Sequence, residues 1–134
     1  MRVLEIYYPS VEQIVEINKA VLSFVRVRKA DKAAVLSYQK LLDSLEVCTT
    51  KEGDVYDKAV VLLQALIQKH PFASGNRRTA FVVMADFLAQ NGFQLGIKDD
   101  PSQAKVMQGV REGFYTSEEI KEWIRCGKIK PFKR

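Results

Sequence analysis

The stretch His70-Pro71-Phe72-Ala73-Ser74-Gly75-Asn76-Arg77-Arg78 lies between two segments that are apolar on nearly every side, and its reading decides the fold. Upstream, Val55, Ala59, Leu62, Leu63, Leu66 and Ile67 recur at the helical period, and the run Ala59 to Leu63 has no polar face. Downstream, Arg77-Arg78-Thr79-Ala80-Phe81-Val82-Val83-Met84-Ala85-Asp86-Phe87-Leu88-Ala89-Gln90 reads the same way, and Asn91-Gly92 closes it as a left-handed C-terminal cap. Pro71 disfavours helix at the residue before it, so the incoming helix ends at His70. Gly75 permits a turn that a side chain would block, and a second helix opens near Asn76. Helices apolar all round belong in an interior. The two therefore form a central buried pair joined by one short loop.

Working outward, Ser10-Val11-Glu12-Gln13 is a capping box. It predicts a first helix running to about Arg28, with Val11, Ile14, Val15, Ala20, Val21 and Val25 to bury. Asp31 is the expected cap of a second helix with Val35, Tyr38, Leu41, Leu42 and Leu45 on its apolar side. Thr49 to Gly53 is a polar loop, and Asp54 caps the third helix. Beyond the fourth, Asp100-Pro101 predicts a fifth helix with proline at the tolerated first position; Ala104, Met107 and Val110 face inward. Thr116-Ser117-Glu118-Glu119 is another capping box, starting a last helix that buries Ile120, Trp123 and Ile124 and stops at Gly127. The expectation is an all-α bundle of about six helices, one domain over 1–134, with a basic tail at 128–134.

A chain of 134 residues with 47% apolar and 28% charged residues can build a core without metal or disulfide staples. Cys48 and Cys126 lie far apart, and the chain has a single histidine, so no His/Cys zinc site can be assembled. Both cysteines read as reduced thiols of a cytoplasmic protein. The N-terminus has no apolar h-region, and no run is long enough to span a bilayer, so neither a signal peptide nor a membrane anchor is expected. Of the net charge of +5, the tail residues Lys128, Lys130, Lys133 and Arg134 contribute four with no acid among them. We expect this tail to be solvated and frayed.

The joining loop is where chemistry can reside. Asn76, Arg77 and Arg78 make the first turn of a long helix, whose free N–H groups and dipole attract anions. Two guanidiniums there run against the usual preference for acids at a helix start, and a bound anion would offset their repulsion. A phosphate chain suits arginine's forked donors. At the other end of the loop stands an imidazole, the side chain able to act as a base near neutrality. A base opposite an anion site is the layout that transfer of a phosphoryl or nucleotidyl group onto a hydroxyl requires. On these residues alone, a structural histidine and two solvated arginines remain the competing reading.

The same stretch resembles the H-P-F-x-[D/E]-G-N-x-R signature of the Fic/Doc family, with His70, Pro71, Phe72, Gly75, Asn76 and Arg78 at its spacing. The likeness continues in Leu41-Leu42-Asp43-Ser44-Leu45, in Asn91-Gly92-Phe93 and in Glu118 to Ile124. The resemblance implies a Fic-type helical fold and an ATP-using transferase. His70 would be the base and Phe72 the anchor of the loop. Ser74, Gly75, Asn76 and Arg77 would line the phosphate site, through backbone N–H groups and the Asn76 amide, and Arg78 would clamp the terminal phosphate. Family members move either AMP or the terminal phosphate of ATP onto a protein hydroxyl. The basic residue at Arg77 resembles the Doc type, which implies a translation factor or similar protein as substrate and an antitoxin protein as partner.

One position departs from the signature. Ser74 stands where the family has the acid that holds Mg²⁺, and a neutral hydroxyl is a poor sole ligand for a hard dication. The metal would rest on phosphates and water, or activity would be reduced, or the chain would be a silent module that binds nucleotide or a partner. Asp86 is no substitute, because it lies three helical turns further, about 18 Å at 1.5 Å per residue. Cys48-Thr49-Thr50-Lys51-Glu52-Gly53 only nearly fits the family's self-inhibitory pattern, and that loop is the expected target-docking flap. Nucleic-acid binding through the tail with Arg26, Arg28 and Lys29 is the weakest alternative, since no base-reading motif is present.

Overall fold

Four of the six helices begin on a side-chain cap, and those caps set the frame. The computed structural model describes residues 5–24 and 33–133. At the start of α1 (Val11–Phe24), Ser10 Oγ accepts from the Gln13 amide N–H and Gln13 Oε1 accepts from that of Ser10. Ser37 caps α2 (Tyr38–Thr50), Asp54 caps α3 (Val55–Lys69) through a box with Asp57, and Thr116 caps α6 (Ser117–Cys126) through a box with Glu119. Each such cap contributes about 1 kcal/mol and fixes where the helix starts. Between them lie α4 (Asn76–Gln90) and α5 (Gln103–Arg111).

The centre is α3. It packs on α2, α4, α5 and α6, and α4 in turn packs on α1. Leu62, Leu63, Ala80, Met84, Phe87, Trp123 and Ile124 are almost fully buried, so the apolar pair expected from the sequence is the core of an all-helical fold. Phe93 N–H reaches back to Leu88 O, and Gly92 turns through φ 77° to close α4.

Four expectations are corrected. The stretch before α2 is not helical: Val35 forms an antiparallel bridge with Phe72, Leu36 and Ser37 N–H donate to Pro71 O, and Ala73 N–H donates to Ala34 O. This long-range pairing takes the backbone groups a helix would need, so α2 starts at Tyr38. Asp31, the end of the first helix near Arg28, and Arg26, Arg28 and Lys29 lie outside the described residues. Second, α2 buries Leu41, Ser44 and Cys48, while Tyr38 and Leu42 are exposed. Third, α5 opens at Gln103 and not at Pro101, because the Asp100 carboxylate accepts from Ser102 N–H and holds a turn there.

Fourth, the basic tail, described to residue 133, keeps its lysines exposed but is anchored rather than frayed. Phe132 meets the Phe114 ring at 5.2 Å, Tyr115 O–H donates to Lys130 O, and Lys130 pairs with Glu119 at 3.1 Å. Gly109 makes this possible, since a Cβ there would stand 2.5 Å from Tyr115 and 3.1 Å from Phe132. The loop after α2 is also a structural joint. Lys58 is buried, and its ammonium donates to the carbonyls of Cys48, Thr49 and Lys51, closing the C-terminus of α2. Burial pushes the neighbouring Cys48 thiol up to about 12.

Candidate active site

The loop is shaped at both ends by left-handed backbone. His70, the C-cap of α3, sits at φ 52° and ψ 58°, and is the only non-glycine residue with positive φ among those described. Gly75, the N-cap of α4, sits at φ 76°. Between these two reversals Phe72 drives into the core with no exposure, anchoring the loop by a burial that contributes about 1.5–3 kcal/mol.

Asn76 braces the loop from within. Its Oδ1 accepts from Phe72 N–H at 2.9 Å and its Nδ2 donates to Phe72 O at 2.8 Å. The second amide hydrogen is left for His70, and Nδ2 stands 3.2 Å from both ring nitrogens. A neutral imidazole has one bare nitrogen to accept it. In place of the expected amide turned towards an anion, the Asn76 side chain is therefore committed to Phe72 and His70, and only its backbone N–H belongs to the open turn.

That turn is unsatisfied. Gly75 offers no side-chain cap, and among the described residues the N–H groups of Asn76, Arg77 and Arg78 have no acceptor; Thr79 N–H to Gly75 O is the first helical bond. Arg77 and Arg78 are exposed, and no described carboxylate lies within ion-pair distance of either. Three free donors and two unneutralised guanidiniums make a strong local preference for an anion.

All of this opens on one cavity of about 750 Å³, lined by His70, Ser74, Gly75, Asn76, Arg77 and Arg78. Ile67, Phe81, Leu95, Ile97 and Met107 give it apolar walls, and α5 adds Gln103 and Arg111. The volume lies within the range of about 300–1,000 Å³ typical of small-molecule sites, and the mix of apolar wall and convergent donors suits a phosphorylated ligand with a flat apolar part. Every residue proposed from the sequence for phosphate contact thus borders the same space. Asp86 does not line it. The segment from Cys48 to Gly53 is at the other end of α3 from His70, about 22 Å away at 1.5 Å per residue, so neither self-inhibition nor docking from that loop reaches the site. The chain that lies along the loop is Ala34 to Ser37.

The residues do not form a set for a protein-held dication. Ser74 offers a neutral hydroxyl, and its carbonyl is already taken by Asn18. The cavity's carboxylates, Asp99 and Asp100, come from the α4–α5 connection, and Asp100 is engaged with Ser102, whose amide holds it below the usual carboxylate range. Among the described residues no cluster of three metal-ligating side chains occurs.

Asn18 was not singled out from the sequence. It is 1% exposed, and its amide donates to Ser74 O and Thr79 Oγ1, both at 3.0 Å. The available signal was its register: Ile14, Asn18 and Val21 share one helical stripe, which puts a polar side chain on a buried face.

Among the described residues no helix is long and apolar enough to cross a membrane. The sequence profile of the Fic/DOC family matches residues 3–88, which takes in the whole loop and nearly all of α4. A curated relative, Toxin Doc of Mycolicibacterium smegmatis (strain ATCC 700084 / mc(2)155), is 41% identical over 51 residues. That alignment covers 38% of this chain and 39% of the relative's length. Fold, loop and profile agree, and the chain belongs to the Fic/DOC family.

Proposed function

We propose that the chain is a Doc-like transferase that moves the terminal phosphoryl group of ATP, or its AMP moiety, onto a hydroxyl of a protein. The observation that carries the reading is the juxtaposition, in one cavity, of the sole imidazole with the uncapped start of α4 and its two arginines, which have no ion-pair partner among the described residues. The N–H groups of Asn76, Arg77 and Arg78 bind phosphate oxygens, and Arg78 clamps the phosphate that leaves or moves. His70 takes the proton of the acceptor hydroxyl as its oxygen attacks phosphorus. A new P–O bond forms to the acceptor, the bond to the bridging oxygen breaks, and ADP departs. In the nucleotidyl variant the α-phosphorus is attacked and pyrophosphate departs. The apolar walls hold the base and exclude water. By analogy with Toxin Doc, the chain would act as a toxin; the Doc-type resemblance of its loop adds an antitoxin protein as partner and a translation factor or similar protein as substrate.

Ser74 favours one second reading, a module that binds nucleotide or a partner without turnover, since position 74 brings no carboxylate to hold a dication that would neutralise the phosphates. Incubation with α- and γ-labelled ATP and a cell lysate separates the readings. γ-Label on a protein indicates phosphorylation, and α-label AMP transfer. Binding with neither label moved would overturn the transferase reading. Arg78→Ala should weaken binding and transfer together, because the guanidinium acts in ground and transition states alike.

A further inference from the structure

We infer that Asn18, on α1, is a positioning residue that fixes the conformation of the anion loop from a neighbouring helix; the inference rests on the functional reading above. No local side chain caps the start of α4, because Gly75 has none to offer. Asn18 takes over that task. Its two amide hydrogens are both spent, one on Ser74 O and one on Thr79 Oγ1, so a single buried group bridges the two sides of the Gly75–Arg78 turn. α1 also lies directly on Gly75, where a Cβ would stand 3.1 Å from Leu22 and 3.5 Å from the Asn18 amide nitrogen.

The consequence is directional. In a trans peptide the carbonyl and the following N–H point opposite ways, so drawing Ser74 O towards α1 turns the Gly75 N–H away from it. The bond to Thr79 pins the far side of the same turn. With both sides held, the three free N–H groups keep one orientation before any ligand arrives, and the ligand does not bear the cost of ordering them. Asn18 touches no ligand itself; it acts through Ser74 and Thr79.

The test compares Asn18→Ala, the near-isosteric Asn18→Asp, Thr79→Val and the conservative Thr79→Ser with the unmodified chain. Amide hydrogen exchange at Thr79 and Ala80, the first hydrogen-bonded amides of α4, is read against exchange at Leu62 to Leu66, and binding of inorganic tripolyphosphate is measured by calorimetry. Loss of a buried donor pair should speed exchange at these two amides and weaken tripolyphosphate binding by about tenfold each, with the α3 amides unchanged. Thr79→Val should show a smaller shift in the same amides, and Thr79→Ser should behave as the unmodified chain. Should Asn18→Ala fail to fold, Asn18→Asp and Thr79→Val carry the same comparison. Exchange at the two α4 amides that stays unchanged, or rises only in step with α3, would overturn the inference and leave Asn18 as core filling. If the unmodified chain binds no tripolyphosphate, the functional reading falls, and the exchange pattern alone still decides the role of Asn18.

Discussion

Replacing His70 by glycine should separate stability from chemistry in a way that alanine cannot. His70 occupies the left-handed region at φ 52° and ψ 58°, where an L-residue pays about 1 kcal/mol and glycine pays almost nothing. Its ring also accepts one hydrogen bond from Asn76 at 3.2 Å, a half-buried contact that contributes about 0.5–1 kcal/mol. His70→Ala keeps the backbone strain and loses the contact, so it should destabilise by about 1 kcal/mol. His70→Gly loses the contact but relieves the strain, and the two nearly cancel. For a chain of 134 residues the gap between the variants corresponds to roughly 3–5 °C in Tm, with glycine the more stable. Transfer should fall in both by about 10²–10⁴-fold, the usual contribution of proton abstraction. Thermal melts and labelled-ATP transfer on the three proteins test both halves. A glycine variant that melts with or below the alanine variant would refute the strain argument; transfer surviving in either would refute the base.

Other perturbations have equally definite outcomes. Asp57 is held below the usual carboxylate range, first by its hydrogen bond with Lys121 and then by the amide of Asp54, and the partner Lys121 is correspondingly raised. A depressed carboxylate adds stability above its unfolded pKa and loses it as pH falls through the folded one, so Asp57→Asn should cost about 1 kcal/mol at pH 7 and progressively less below about pH 4 in urea melts. Lys58→Met should lower stability by about 2–3 kcal/mol by chemical denaturation, because three carbonyls at the end of α2 lose their donor in a buried site; a loss under 1 kcal/mol would mean that water replaces the ammonium. Ser74→Asp should raise Mg²⁺ affinity of the nucleotide complex by calorimetry, since a carboxylate suits a hard dication better than a hydroxyl, and unchanged affinity would show that position 74 does not face the metal.

The parts of the fold legible in the sequence were those with local causes. Ser10, Asp54 and Thr116 announce helix starts because a cap and its partner lie three residues apart, and the apolar girth of α3 and α4 announces the core. The loop was legible as a unit because proline, glycine and two arginines each constrain it within nine residues. What escaped depends on chain segments far apart. Val35 fits a helical stripe by spacing, yet its segment is taken by Pro71 and Ala73 from beyond α3. The tail looks soluble by charge, but Phe132 finds a berth that Gly109 leaves empty. At the site, the inward turn of the Asn76 amide and the reach of Asn18 across from α1 are tertiary facts with little local trace.

His70 is exposed at the rim of the cavity, has Asn76 as its hydrogen-bonding side chain among the described residues, and is the only histidine in the chain. A lone imidazole gives one set of histidine ring resonances, with no second histidine to confuse its assignment. Those signals sit within reach of any occupant of the cavity, so a titration followed by their displacement would report occupancy at one known position without a dye, a spin label or an engineered cysteine. A polyhistidine purification tag would bury this natural spectroscopic handle under identical signals, and a tag of another chemistry would preserve it.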